Sequence, residues 1–300
     1  MLQDTYLKIK KSIVAIVLNY ITDEFPTIIG TGFFVRKDGF VLTNQHVLEK
    51  IAEIGKKLGK NTFEEIAKVL YFTNTENGIG VVPLVVARAA KIGWEKPPEN
   101  YYGESPDIGF LELKDVKDCP ILEISDAEII EGSEVAIAGF PMGTETLKVP
   151  GWIHQVGPTL QKGIVGAVLP FPCKTPHAIM LDIMTQGGSS GSPIFDVAYG
   201  KVIGILYAGL NDFYQDKNVR YQVPTSLSLA IPNNLIKNAL ETLNQDKAII
   251  SEDKKTPLSD WLKKLNTYPV KPKDGLGMLR LNSKSQKQDK IRQIRHRTML

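Results

Sequence analysis

The feature that most constrains the fold is a series of twelve short β-like runs within the first 235 residues. They alternate with turn clusters such as KDG, NTENG, EGS and AYG at a spacing of roughly 8 to 12 residues, which is typical of an all-β sandwich or barrel. The runs are SIVAIVLNY, GTGFFVR, GFVLTN, KVLYFTN, GVVPLVVARAA, IGFLELK, EVAIAGF, GIVGAVL, AIMLDIM, PIFDVA, KVIGILYAG and YQVPTS. The sequence therefore predicts an all-β chain with two β-barrels.

Helical patterns are few. DTYLKIKK predicts a short N-terminal helix, and IPNNLIKNALETLNQ predicts a C-terminal helix over 232–245 that Asn233 or Asn234 caps. Between residues 49 and 70 apolar residues recur at three- and four-residue spacing, interrupted by Gly55 and Gly59. We interpret this stretch as a helical insert with a capping box at Thr62.

The chain divides near residue 250 by composition. Of its 300 residues 43% are apolar and 23% charged, typical of a soluble globular chain, and the net charge of +3 alone implies no nucleic-acid partner. Residues 251–300 contain 13 Lys or Arg against 5 Asp or Glu, a net +8, so residues 1–250 carry −5. We predict a folded unit over 1–250, with a first barrel at 12–113, a linker at 114–128 and a second barrel at 129–231.

The segment 251–300 is predicted to be a basic, largely disordered tail, because it contains too little apolar surface to order itself. LSDWLKKL within it can form one small docking helix. A solvated tail is the default interpretation, and a partner protein bound by the tail is the alternative. Nucleic acid is not an expected partner, because no recognised binding module is present.

The N-terminus sets the expected compartment. The apolar run Ile13–Leu18 is too short for a membrane span, and no small-residue cleavage site follows it. We therefore expect no membrane association and a cytoplasmic localisation. Cys119 and Cys173 are then expected to be reduced packing residues, since a disulfide is rare in that compartment.

The stretch QGGSSGSPIF, residues 186–195, suggests catalytic chemistry. Its glycines would suit a surface turn, but such turns rarely run directly into so apolar a strand. A serine such as Ser190 needs a base within hydrogen-bond reach and a carboxylate that orients this base.

His46 is the best candidate for the base. It ends the run GFVLTNQHV, where the end of a strand can hold it rigidly, whereas the other three histidines lie in loops or in the tail. The others are His154, His177 and His296. The carboxylate candidate is Asp107, which opens an otherwise apolar strand in SPDIGFLELK. Asp182 is an alternative, for which a structural role is expected.

The order His46, Asp107, Ser190 and its local contexts resemble the trypsin-like serine peptidases. The blocks GTGFFV, LTNQHV, PDIGFLEL, GGSSGSPIF, KVIGILYAG and SLAIPNNLI look like those of bacterial HtrA-type and glutamyl-endopeptidase-type enzymes, over residues 12–240. The resemblance implies a chymotrypsin-like fold of two antiparallel six-stranded β-barrels. It further implies a serine endopeptidase with an acyl-enzyme intermediate, without a metal or organic cofactor and here without a PDZ domain.

The resemblance also assigns roles. Ser190 would be the nucleophile, His46 the general base and Asp107 its orienting group, with the amides of Gly188 and Ser190 as the oxyanion hole. Ser189 stands where relatives usually have Asp or Asn, and both Ser189 and Ser192 remain alternative nucleophiles. This departure keeps a second hypothesis open, a catalytically silent protease-fold module that binds peptides or proteins.

The specificity pocket is implied by the same resemblance. It maps onto the residues before the nucleophile and the strand after it, for which we predict Thr185, Leu206 and Ala208. No Asp or Glu stands at these positions, so we expect an apolar P1 residue. The physiological substrate, the activating signal and the oligomeric state do not follow from the sequence.

Overall fold

The computed structural model describes residues 1–19, 27–75, 78–92, 105–143, 157–170, 175–216, 219–245, 255–263 and 278–280. In this part of the chain the strands form two closed barrels, each of six antiparallel strands. The predicted chymotrypsin-like architecture is confirmed.

The first barrel is formed by the N-terminal six strands, in the order β5-β4-β1-β2-β3-β6, and pairing of β5 with β6 closes it. These strands are β1 (Ile13–Leu18), β2 (Ile28–Arg36), β3 (Phe40–Thr43), β4 (Ala67–Thr75), β5 (Gly78–Lys91) and β6 (Gly109–Leu113). A two-residue strand, β7 (Val116–Lys117), follows within the predicted linker.

The second barrel closes in the order β10-β13-β12-β11-β8-β9. Its strands are β8 (Glu134–Gly139), β9 (Thr159–Leu169), β10 (Ala178–Leu181), β11 (Pro193–Asp196), β12 (Val202–Asp216) and β13 (Val219–Pro232). The pairing of β11 with both β8 and β12 places the chain that precedes Pro193 at one end of this barrel.

Strand β1 shows why some runs are apolar throughout. Every one of its residues is buried. Val14 and Ile16 pack with Phe34 in one cluster, whereas Ala15 packs in another that includes Phe195 of the second barrel. A strand that is buried on both faces needs no polar alternation. The run that is too short for a membrane span is therefore a barrel strand between two apolar layers.

Five helices accompany the barrels in the described residues: α1 (Leu2–Ile9), α2 (Gln45–Lys57), α3 (Phe63–Ile66), α4 (Asn233–Asn244) and α5 (Leu258–Lys263). None of them is long and apolar enough to cross a bilayer. The C-terminal helix α4 is anchored by Asn233, whose Nδ2 donates to the carbonyls of Ser125 and Ala127.

The helical insert differs from its predicted limits. Helix α2 begins at Gln45, four residues before the predicted start, and β4 already begins at Ala67. Gly59 follows the end of α2 by two residues and has φ of +67°, the left-handed conformation that follows many helix C-termini. Thr62 and Glu65 then form the capping box that begins α3.

Part of the segment 251–300 is ordered, including the small helix expected within LSDWLKKL. Strand β14 (Thr256–Pro257) pairs in parallel with β7, and α5 follows within the stretch LSDWLKKL. Leu258 is buried in the first barrel's apolar cluster, and Trp261 Nε1 donates to the carbonyl of Asp115 at 3.2 Å. A third short strand, β15 (Met278–Arg280), pairs in parallel with β5.

Lys255 explains why a charged segment docks there. Its side chain is 0% exposed, and its Nζ donates to the carbonyl of Asp38 at 2.6 Å and lies 3.4 Å from Glu112 Oε1. Glu112 also pairs with Arg88. A lysine can be buried when its charge is paired and hydrogen-bonded, so residues 255–263 pack as part of the first barrel.

Candidate active site

His46 lies in the first turn of α2, not at the end of a strand as expected. The carboxylate of Asp107 holds it twice. Oδ1 accepts from the His46 main-chain N–H at 2.8 Å, and Oδ2 lies 2.5 Å from Nδ1 of the ring. The first amides of a helix have no partner within the helix, and a negative charge is favourable at this end. One carboxylate thus caps α2 and orients the imidazole.

Asn44 completes this arrangement. It is the N-cap residue of α2 and is fully buried, and its Nδ2 donates to the main-chain carbonyl of Asp107 at 2.9 Å. The loop that holds Asp107 is therefore fixed to the turn that begins the helix. With Nδ1–H donated to Asp107, the Nε2 atom of His46 is left as the acceptor. The ring is 43% exposed, so a substrate can reach it.

Ser190 lies in the turn between Gln186 and Pro193. The amide of Ser189 donates to the carbonyl of Gln186, and the amide of Ser192 to that of Ser189, which closes the turn. Ser189 is 4% exposed and Ser192 0%, whereas Ser190 is partly exposed. Burial therefore disfavours the two alternative serines as nucleophiles.

Two glycines make this turn possible. Gly188 has φ of +93° and Gly191 φ of +87°. A Cβ atom on Gly188 would lie 2.4 Å from the Phe140 carbonyl oxygen, and one on Gly191 would lie 2.0 Å from the Thr31 carbonyl oxygen. Both the left-handed conformation and the lack of space require glycine.

The turn is held against the first barrel. The amide of Thr31 in β2 donates to the Ser190 carbonyl at 2.8 Å, and the hydroxyl of Thr31 donates to the Gly188 carbonyl, also at 2.8 Å. A Cβ built on Gly30 would lie 3.4 Å from the Ser190 carbonyl oxygen and 2.9 Å from Val47 Cγ1. Ser190 and the residue that follows His46 thus both lie next to Gly30.

The main-chain amides of Gly188 and Ser190 are available to a ligand. Among the described residues neither N–H has a hydrogen-bond acceptor. The same residues include no hydrogen bond between the His46 ring and the Ser190 hydroxyl. Such bonds are often long before substrate binds and tighten in the reacting complex.

The predicted residues of the specificity pocket lie around the turn that carries Ser190 and on strand β12 of the second barrel. Thr185 is buried against Gly209, where a Cβ would lie 2.7 Å from Thr185 Oγ1. Leu206 is 2% exposed and packs with Ile183 and Ile194, and its main-chain carbonyl and N–H bind Gly191 and Ser192 of the turn. The assignment of Thr185, Leu206 and Ala208 to the pocket stays a prediction.

The remaining candidates take structural positions. Oδ1 of Asp182 accepts from the amide of Ile164 at 2.6 Å, as expected for a structural role. The amide of His177 donates to the Leu169 carbonyl at 2.8 Å in the second barrel. His154, His296 and Cys173 lie outside the described residues.

No group of three or more His, Cys, Asp or Glu in the described ranges could hold a metal ion. Cys119 is buried, and this burial raises the pKa of its thiol to about 12, so it is a poor source of thiolate.

Two residues of the site were not found from the sequence alone. Thr31 lies between two glycines in GTGFFV, and Asn44 lies two residues before His46. Their positions within the quoted blocks are the only signal, because their hydrogen-bond partners are distant in sequence.

Comparison with known proteins identifies the family of this chain. The family described as trypsin-like peptidase domain matches residues 30–205. The chain is 25% identical over 222 residues to the "Probable periplasmic serine endoprotease DegP-like" of Halomonas elongata, covering 74% of this chain and 36% of that protein. It is also 25% identical over 211 residues to the protein of the same name from Pseudomonas fluorescens, covering 69% and 35%. It thus spans about a third of the length of these relatives.

A solved structure, that of the serine endoprotease from Yersinia pestis, matches with a TM-score of 0.49 at 16% sequence identity. The match covers 82% of this chain and 67% of that one.

The names of the curated relatives contradict the predicted cytoplasmic localisation. Both proteins are named periplasmic. The prediction was wrong because it was based on the lack of an export signal, and such a lack identifies no compartment. The apolar run Ile13–Leu18, which was assessed as a signal, is strand β1.

Proposed function

Because the chain belongs to the trypsin-like peptidase family, we propose that it is a serine endopeptidase that cleaves protein or peptide substrates. The bidentate contact of Asp107 with His46 is the observation that carries this proposal. It fixes the ring so that Nε2 accepts a proton, which is what a serine nucleophile requires of its base.

The proposed reaction has two stages. Ser190 Oγ attacks the scissile carbonyl carbon while His46 Nε2 takes the hydroxyl proton, and the amides of Gly188 and Ser190 donate to the developing oxyanion. His46 then gives the proton to the leaving amine as the C–N bond breaks. Water then attacks the acyl-enzyme carbonyl while His46 takes its proton. The bond to Ser190 Oγ breaks, His46 returns the proton to Oγ, and the acid product is released.

The nucleophile is tested with a fluorophosphonate probe. The folded wild type is expected to be labelled at Ser190, and Ser190→Ala is expected to lose both labelling and peptide hydrolysis. Ser189→Ala is the matched control, since Ser189 is buried beside it, and it should keep its label. A wild type that is folded and unlabelled would contradict the proposal.

The finer specificity is proposed to favour apolar P1 residues. This proposal is supported by Thr185, which directly precedes the turn, and by Leu206, whose main chain binds Gly191 and Ser192. No acidic side chain stands at the three predicted pocket positions to pair a basic P1 group. An apolar pocket discriminates by only about 1–3 kcal/mol per methylene, so a graded preference is expected. Cleavage of a peptide library measures it, and a dominant cut after Lys, Arg or Glu would overturn it.

Ser189, which stands where relatives usually have Asp or Asn, motivates a second candidate, a catalytically silent module whose cleft binds peptides. This function predicts peptide binding that is the same in wild type and Ser190→Ala, with no turnover at any substrate concentration. The fluorophosphonate experiment separates the two candidates, because an inert serine leaves no label.

We also propose that the protein acts in the periplasm, on the basis of its relatives' names. Fractionation of cells of the source organism, followed by immunodetection, is expected to find it in the periplasmic fraction. Recovery in the cytoplasmic fraction alone would reject this assignment.

A further inference from the structure

Thr31 occupies an unusual position between the two barrels. It is fully buried in β2 and joins three segments by hydrogen bonds. Its amide donates to Ser190 O, its hydroxyl donates to Gly188 O, and the same hydroxyl accepts from the amide of Phe140 at 3.0 Å. One side chain from the first barrel thus contacts two separate segments of the second.

These bonds restrain the segment that carries the proposed oxyanion hole. The carbonyls of Gly188 and Ser190 are both fixed by Thr31, one by the hydroxyl and one by the amide. Gly188 also lies against Gly143, whose N atom would be 2.8 Å from an added Cβ. With its carbonyl held and its flank closed, Gly188 keeps its positive φ, and its N–H has no acceptor among the described residues.

The bonds continue from Thr31 to the proposed base. The hydroxyl of Thr43 donates to the Thr31 carbonyl at 2.8 Å, and Thr43 directly precedes Asn44. Asn44 binds the Asp107 carbonyl, and Asp107 holds His46. A path of buried and partly buried hydrogen bonds and one peptide link therefore connects the turn that carries Ser190 with His46.

We propose that Thr31 of the first barrel is a positioning residue that fixes the serine turn of the second barrel, the turn between Gln186 and Pro193 that carries the proposed oxyanion hole. The inference rests on the proposed peptidase function and deepens it. Thr31 touches no reacting atom and acts through the Gly188 carbonyl. Its hydroxyl must both donate and accept, which serine can also do and valine cannot.

The experiment compares three variants with wild type by kcat, KM and thermal unfolding. Thr31→Val keeps the shape and removes the hydroxyl, Thr31→Ser keeps the hydroxyl, and Thr31→Cys replaces it with a weak donor. Thr5→Val is the matched control. Thr5 is another buried threonine, and its hydroxyl contacts the carbonyls of Met1 and Val197, away from the site.

The expected result is a loss in kcat without a matching change in KM. Thr31→Val should lower kcat by roughly 10- to 100-fold, less than the 10²- to 10³-fold cost of deleting an oxyanion donor directly. Thr31→Ser should restore most of this loss, and Thr31→Cys should lie between the two. Thr5→Val should leave kcat unchanged. The inhibition constant of a peptide boronate, whose tetrahedral adduct uses the same amides, should rise by about the factor by which kcat falls.

The outcomes separate this inference from the proposed function. A wild type without hydrolysis or labelling rejects the peptidase function itself. An active wild type with unchanged kcat in Thr31→Val rejects only the role of Thr31, as does an equal loss in the serine variant. If Thr31→Val does not fold, the serine and cysteine variants decide the matter, because they differ by one atom.

Discussion

Asp107 performs two tasks at the scale of a single residue. Oδ1 binds the main chain of α2 and Oδ2 binds the His46 ring, so the position of the helix and the tautomer of the base depend on one carboxylate. An amide in its place would keep one oxygen and lose the negative charge. Both the capping and the orienting contact would then weaken.

Asp107→Asn is expected to lower kcat/KM by roughly 10³- to 10⁴-fold, because the asparagine amide favours the wrong imidazole tautomer. Steady-state hydrolysis of a peptide substrate measures the effect. Asp182→Asn is the control, since the carboxylate of Asp182 accepts from the amide of Ile164 in the second barrel, away from His46. Equal losses in the two variants would contradict the special role of Asp107.

Cys119 gives a prediction about pH. Burial raises its pKa from 9.0 to about 12 in the folded protein, so the folded state keeps a proton that the unfolded state loses above pH 9. Because the unfolded state then binds fewer protons, this residue lowers the free energy of unfolding as pH rises from 9 to 12, by up to about 1.4 kcal/mol per pH unit. Urea unfolding at a series of pH values gives the free energy of unfolding of wild type and Cys119→Ala. Between pH 9 and 12 this free energy should fall more steeply with pH in wild type, and parallel pH dependences would refute the prediction.

At the scale of elements, the strands could be predicted and the start of α2 could not. GFVLTN forms β3 because both its composition and its flanking turns favour a strand locally. The first turn of α2 instead depends on a carboxylate 61 residues away, so local pattern suggested a strand end for His46. Helix α5 was predicted within LSDWLKKL, but the burial of Lys255 before it was not, because the partners of Lys255 lie in the first barrel.

The serine turn is the element with the sharpest steric demand. Gly191→Ala is expected to destabilise the protein by about 2 to 4 kcal/mol, from the positive φ and from the overlap with Thr31. Gly187→Ala is the matched control, because a Cβ there meets nothing within 4 Å, and it should change stability by less than about 0.5 kcal/mol. Chemical denaturation of both variants tests this, and similar losses would show that small shifts of the turn relieve the overlap.

At the scale of the whole molecule, the candidate site combines a base from one barrel with a turn from the other. The sequence could nominate the residue types, because each lies in a short recognisable block. It could not show how the barrels meet, because contacts such as that of Thr31 with Gly188 span 157 residues.

Lys255→Ala is expected to lower the free energy of unfolding by about 2 to 4 kcal/mol, because it removes a buried donor to Asp38 and leaves Glu112 with Arg88. Lys263→Ala is the control. Lys263 is exposed and pairs with the nearby Asp260, so its loss should cost less than about 0.5 kcal/mol. Differential scanning calorimetry can compare the unfolding temperatures of the two variants, and equal temperatures would contradict the docked position of residues 255–263.

The contact between Glu112 and Lys255 spans 143 residues and has a consequence for biosynthesis. A ribosome finishes the strands of the first barrel long before it reaches codon 255, and domains tend to fold in order of their emergence. In the newly made barrel Glu112 can therefore pair with Arg88 but not with Lys255 until the second barrel has been translated. The lysine arrives only when the serine turn has already been made.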